Sequence, residues 1–217
     1  MKQIFIAPRI VKNEYQSTVY QVDADLINFF KQLDYSYCSV FTTDTKHLNS
    51  MVNSSCALVL GGGGDIAKVN NTVENCKRDS YEKKLIKMFI KQQKPIIAIC
   101  RGFQLLASLN NGVLLRAKTH VCKKHTVNLI KKNSLTKEKK LTTNSFHNWI
   151  ITQIENFEVY GTANDDSIEI AVNNKKRILG LMFHPERKNQ SQKHIKQMVG
   201  KFLNGFNSSS GRTRKEI

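Results

Sequence analysis

Lys94–Gln104 reads KPIIAICRGFQ, an apolar run that ends on Cys100 with a helix-like segment directly behind it. Ala98 and Gly102 stand two residues to either side of the cysteine. That is the spacing of a nucleophile elbow, a strained strand-to-helix turn in which neighbouring backbone comes too close for bulky side chains. A sulfur in this turn faces the N-terminus of the next helix, whose dipole and free N–H groups stabilise negative charge. The chemistry predicted is nucleophilic attack on an acyl carbon. Cys38, Cys56, Cys76 and Cys122 lack such a setting and read as structural or incidental.

An attacking sulfur needs donors for the developing oxyanion, and a base with something to orient it. Gly61–Ile66, GGGGDI, follows the apolar run Ala57–Leu60 and can turn its backbone N–H groups toward a ligand. No Gly-Lys-Ser/Thr follows, so an oxyanion hole fits better than a phosphate loop. Its candidate donors are Gly62, Gly63 and the backbone N–H of Arg101. Gly180–Arg187, GLMFHPER, sets His184 and Glu186 two residues apart across Pro185, which stiffens the turn. The carboxylate can then stand behind the imidazole. A glycine run or an HxE turn alone is an ordinary loop; the elbow between them makes the combination specific.

These pieces need a scaffold of buried strands. Gln3–Ala7, Tyr35–Phe41, Ala57–Leu60 and Pro95–Ile99 read as strands, and Asp23–Leu33, Ser80–Gln93 and Gly102–Leu109 as helices. This alternation predicts an α/β fold: one domain over residues 1–206, with a mostly parallel central sheet flanked by helices. Antiparallel additions follow Gly112, with strands at Val127–Ile130, Trp149–Ile154, Glu158–Ala163, Ser167–Val172 and Arg177–Phe183, then a closing helix at Lys193–Leu203. Residues 207–217 are small, polar and basic and read as a flexible tail.

The 217 residues suit one domain, and 40% hydrophobic content is enough for a core. Five cysteines, an odd number with no CxxC pair, argue against a disulfide framework and point to a reducing cytoplasm. No apolar run approaches a membrane span, so no membrane partner is expected. The net charge of +17 is spread along the chain rather than gathered into a nucleic-acid-binding motif, and no nucleic acid partner is expected. A polyanionic small substrate fits the charge equally well.

Taken in order, the glycine loop, the C-x-G-x-Q elbow and the H-P-E turn resemble the class I glutamine amidotransferase superfamily, with its flavodoxin-like fold. The finer resemblance is to its γ-glutamyl-γ-aminobutyrate hydrolase branch, the peptidase C26-like proteins. It is carried by Gly61–Ile66, the R-D-x-x-E run Arg78–Glu82, Cys100–Gln104, His120–His125, the N-S-x-H-N run Asn144–Asn148 and His184–Arg187. Thr119 departs from the glycine usual before the first histidine.

The resemblance implies a Cys100–His184–Glu186 triad and a γ-glutamyl thioester on Cys100 that water releases. It also implies that Gln104, Ser145, Phe146 and His147 hold the glutamyl head group. The activity implied is hydrolysis of a γ-glutamyl amide to glutamate and an amine, with no cofactor. Small members of the branch resemble hydrolases found with surface-polysaccharide genes, some of which act on a γ-glutamyl cytidine-nucleotide phosphoramidate. The alternative is a glutaminase subunit that supplies ammonia to a separate synthase partner. A homodimer stays open.

His125 and His147 are candidates either for the pocket or for structural roles, and His47 and His194 for solvent. His120, Cys122 and His125 lie close enough to suggest a metal. No fourth ligand is in sight, and the predicted chemistry needs none, so no metal is expected.

Overall fold

A computed structural model describes residues 1–117, 120–130 and 135–207, with side chains as far as 205. Thr119, Lys131, Lys132 and the tail beyond Asn207 lie outside the described residues. The first half runs β1 (Lys2–Ala7), β2 (Arg9–Lys12), β3 (Thr18–Gln21), α1 (Ala24–Lys31), β4 (Tyr35–Cys38), α2 (Thr45–Ser54), β5 (Ala57–Leu60), α3 (Val73–Lys91), β6 (Ile96–Ile99) and α4 (Arg101–Ser108). The second half runs β7 (Val113–Arg116), β8 (Val121–Leu129), β9 (Lys140–Phe146), β10 (Trp149–Gln153), β11 (Glu158–Thr162), β12 (Ile168–Asn173), β13 (Ile178–Leu181) and α5 (Gln192–Asn207).

The main sheet has the order β4-β1-β5-β6-β13-β12-β11-β8-β9. Its first five strands are parallel. The rest join antiparallel, continuing the sheet as the sequence predicts. The central strands read as unbroken apolar runs because both faces are covered. Alternate residues serve opposite layers. Ile4, Ile6, Val59, Ile97 and Ile99 pack with Leu26, Phe29 and Phe30 of α1 and with Ile195, Val199 and Phe202 of α5. Phe5, Leu58, Leu60, Ile96 and Ala98 pack with Leu48 and Val52 of α2, Leu85 and Phe89 of α3, and Phe103 and Leu106 of α4. Among the described residues no helix is long and apolar enough to cross a membrane.

The structure departs from the sequence reading where polar residues hide the periodicity. Helix α3 begins at Val73 rather than Ser80, capped by the Thr72 side chain on Asn75 N. Its added turns bury Arg78 and Asp79, residues that an apolar count scores as surface. Helix α2, capped by Asp44, and the β2–β3 hairpin fall in stretches that gave no signal. Strand β10 pairs with β7 in a separate ribbon instead of joining the main sheet.

At the junction of β6 and α4, a Cβ on Gly102 would meet the Leu60 carbonyl oxygen at 2.6 Å and Leu60 Cβ at 2.7 Å. The obstacle is partly backbone of a buried strand, which cannot step aside. Gly102→Ala is therefore expected to destabilise the fold by about 1–3 kcal/mol, the usual cost of overpacking. Urea denaturation measures this, and an unchanged midpoint would contradict the crowding.

Candidate active site

Strands β5, β6 and β13 are neighbours in the sheet, with Leu60 opposite Ala98 and Ile99 opposite Leu181. Residues 61, 100 and 184 are far apart in the chain, but each lies at or just beyond the C-terminal end of one of these strands. That edge of an open parallel sheet is where ligands characteristically bind. Cys100 N–H donates to Leu181 O at 2.7 Å, and Gln104 N–H returns to Cys100 O at 2.9 Å to start α4. Between these bonds Cys100 takes φ 49° and ψ −106°, an uncommon conformation for a residue with a side chain. The elbow spacing predicts such a turn.

His184 Nδ1 lies 2.6 Å from Glu186 Oε1, and the ring lines the same cleft as Cys100. The His184 backbone is gripped at both ends by one amide: His184 N–H donates to Asn144 Oδ1 at 2.9 Å, and Asn144 Nδ2 donates to His184 O at 2.8 Å. Asn189 Nδ2 adds a second bond to that carbonyl at 2.9 Å. Gly62 lies against the imidazole so closely that a Cβ there would collide with His184 Cε1.

Burial is the largest influence on His184 and opposes its charged form. Hydrogen bonds and charge from Cys100 and Glu186 together outweigh it and raise the imidazole from 6.5 to about 10. The arrangement thus favours the protonated ring beside the sulfur.

Beneath the glycine loop lies a charged cluster. Arg78 donates to the carbonyls of Gly61, Gly62 and Gly63 at 3.0, 3.3 and 2.6 Å. It also pairs with Glu82 at 2.8 Å. The Arg101 side chain, fully buried, pairs with both Asp79 and Glu82. Arg101 therefore adds to its backbone N–H a side chain that ties the elbow to α3.

A cleft of about 680 Å³, partly open to solvent, is lined by Gly63, Gly64, Cys100, Gln104, Phe146, His147, Trp149, His184 and Arg187. Gln104 Nε2 donates to Trp149 O at 3.0 Å, Phe146 stands edge-on to His184, and Arg187 lies over the Phe146 ring at 4.7 Å. Ser145 is the exception among the expected head-group residues. It is fully buried, donates to His120 O and is not among the residues lining the cleft. Strand alternation accounts for this, since Phe146 and Ser145 must face opposite ways. His125 is also absent from the cleft lining, and His47 is exposed. His194 is partly exposed, 3.2 Å from Glu138. Asn144, Asn189 and Arg187 gave no role in the sequence reading; Asn144 and Arg187 lie inside quoted motifs, but only the folded geometry shows what they touch.

The raised value for His184 means that stability from its protonated ring is complete below pH 6.5 and is lost as pH rises through about 10. An NMR titration of the His184 ring is expected to show a midpoint near 10, falling in Glu186→Gln. A wild-type midpoint near 6.5 would contradict the pairing.

The profile of the peptidase C26 family matches residues 38–186, a span that includes the loop, the elbow and the H-P-E turn. The γ-glutamyl-CDP-amidate hydrolase of Campylobacter jejuni is 33% identical over 166 residues, 76% of each chain. A glutamine-hydrolysing GMP synthase chain of Methanosphaera stadtmanae is 28% identical over 132 residues, 59% of this chain and 64% of that one. A solved glutamine amidotransferase structure from Thermotoga maritima superposes with a TM-score of 0.66 at 17% identity, covering 96% of this chain and 85% of the other. The chain belongs to the peptidase C26 family, within the class I glutamine amidotransferase-like proteins.

Proposed function

We propose that this protein is a γ-glutamyl hydrolase in which Cys100 attacks the γ-carbonyl of a glutamyl amide. The observation that carries the reading is the hydrogen-bonded His184–Glu186 pair sharing one cleft with Cys100 at the sheet's edge. As the sulfur–carbon bond forms, charge on the carbonyl oxygen is met by backbone N–H groups of Gly62, Gly63 and Arg101. The carbon–nitrogen bond then breaks, and the His184 proton passes to the leaving nitrogen. Water, deprotonated by the now neutral His184, attacks the thioester. Glutamate leaves, and the proton held on His184 restores the starting pair. Glu186 orients the ring and supports its charge.

Support for a γ-glutamyl substrate comes from the similarity to the Campylobacter hydrolase. The Arg187 guanidinium at the cleft and Arg9 beside Gly63 would suit an anionic substrate, and a γ-glutamyl nucleotide phosphoramidate has the required charge. The similarity to the Methanosphaera GMP synthase chain favours the second reading, a glutaminase that feeds ammonia to a synthase.

An assay of the purified chain alone separates the two. Glutamate release is expected from γ-glutamyl-aminobutyrate or a γ-glutamyl nucleotide phosphoramidate in preference to glutamine. Added salt should raise KM for the nucleotide substrate as charge attraction is screened. Cys100→Ala is expected to lower turnover by about a thousandfold or more while remaining folded. Cleavage of glutamine alone, appearing only when a synthase is added, would overturn the hydrolase reading.

A further inference from the structure

Three histidines and one glutamate from separate parts of the chain converge behind the cleft wall. His120 precedes β8, His125 lies on it, His147 follows β9 and Glu169 lies on β12. One ligand-type atom from each lies within 4.8 Å of all the others. Glu169 is fully buried, and neither of its carboxylate oxygens has a hydrogen-bond partner. His120 Nδ1, His125 Nε2 and His147 Nε2 are buried and equally without one. The separations are within ion-pair range, yet none has hydrogen-bond geometry: 3.9 Å from His120 Nδ1 and 3.5 Å from His147 Nε2 to Glu169 Oε1, and 3.3 Å from His125 Nε2 to Glu169 Oε2.

Five buried polar atoms without partners would be costly in a protein interior. A cation at their centre would take one atom from each of the four side chains. The opposite ring nitrogens are already held: His120 Nε2 lies 2.7 Å from Asp165 Oδ2, and His147 Nδ1 lies 3.1 Å from Trp149 O. Carboxylate and carbonyl partners behind metal-binding histidines fix the ring orientation and tautomer in this way. Three imidazoles and one carboxylate make a four-coordinate nitrogen–oxygen set suited to zinc, and with all four positions filled by protein the site is structural. The two charges of the ion are matched by Glu169 and Asp165.

We propose that His120, His125, His147 and Glu169 bind one structural zinc ion. The ion joins β8, β9 and β12. Because His147 also lines the cleft, it anchors the Phe146–Trp149 wall. Cys122, the ligand type that the sequence reading weighed, is exposed and stands outside the set.

The test uses the full chain, purified without a metal column, with zinc measured by elemental analysis after gel filtration. One zinc per folded chain is expected. His125→Ser should lose it, whereas His125→Cys, nearly the same size but with a ligating sulfur, should retain it. Cobalt loaded in place of zinc should give the intense visible bands of tetrahedral coordination, with an added thiolate charge-transfer band in His125→Cys only. These spectra report on the site even if His125→Ser does not fold. Folded wild-type chain that carries no zinc after exposure to one equivalent would overturn the proposal. So would an octahedral cobalt spectrum, or full zinc retention by folded His125→Ser.

Discussion

Arg78 and Arg101 carry two positive charges into a region that water does not reach, and Asp79 and Glu82 meet them there. Burial draws the Arg78 guanidinium down to about 10, Glu82 opposing, so the side chain stays charged at neutral pH. A buried cluster of this kind adds little net stability, but losing one partner strands the others at a cost of about 3–5 kcal/mol. What it specifies is position. Arg78 holds three carbonyls of the glycine loop, and the paired Arg101 side chain fixes the position directly after Cys100. Both arginines share Glu82, so the glycine loop and the elbow are referenced to one point on α3.

The same economy governs the other wall. Asn144 grips the backbone of His184, Ser145 bonds to the carbonyl of His120, Phe146 meets the His184 ring, and His147 turns back toward Glu169. Four successive residues thus connect His184, the cleft wall and the histidine cluster. The strained Cys100 backbone is held between the β13 hydrogen bond on one side and the first turn of α4 on the other. Strain in a single residue survives where its surroundings leave no alternative.

How much of this was legible in the sequence follows from the range of the interactions. The elbow and the H-P-E turn are local constraints, written in consecutive residues. The parallel strands announce themselves as apolar runs because they are covered on both faces. The charged cluster is not local: Arg78 and Arg101 are recognisable as motif members, but their burial and pairing depend on packing α3 against α4. Strands β8 and β9 are rich in lysine, threonine and asparagine, so their periodicity is faint and only the end of β8 was read. The histidine cluster draws on β8, β9 and β12, and a search for neighbouring ligands stops at Cys122, whose side chain is exposed.

The central claim is that the elbow, rather than simple exposure, selects the nucleophile. Cys76 and Cys122 are exposed, whereas Cys100 is only 6% exposed. Inactivation with a glutamine-like electrophile, followed by peptide mass spectrometry, tests this directly. The account expects one label per chain, on Cys100, in proportion to lost activity. A label on the exposed cysteines with Cys100 unmodified in the inactivated protein would contradict it.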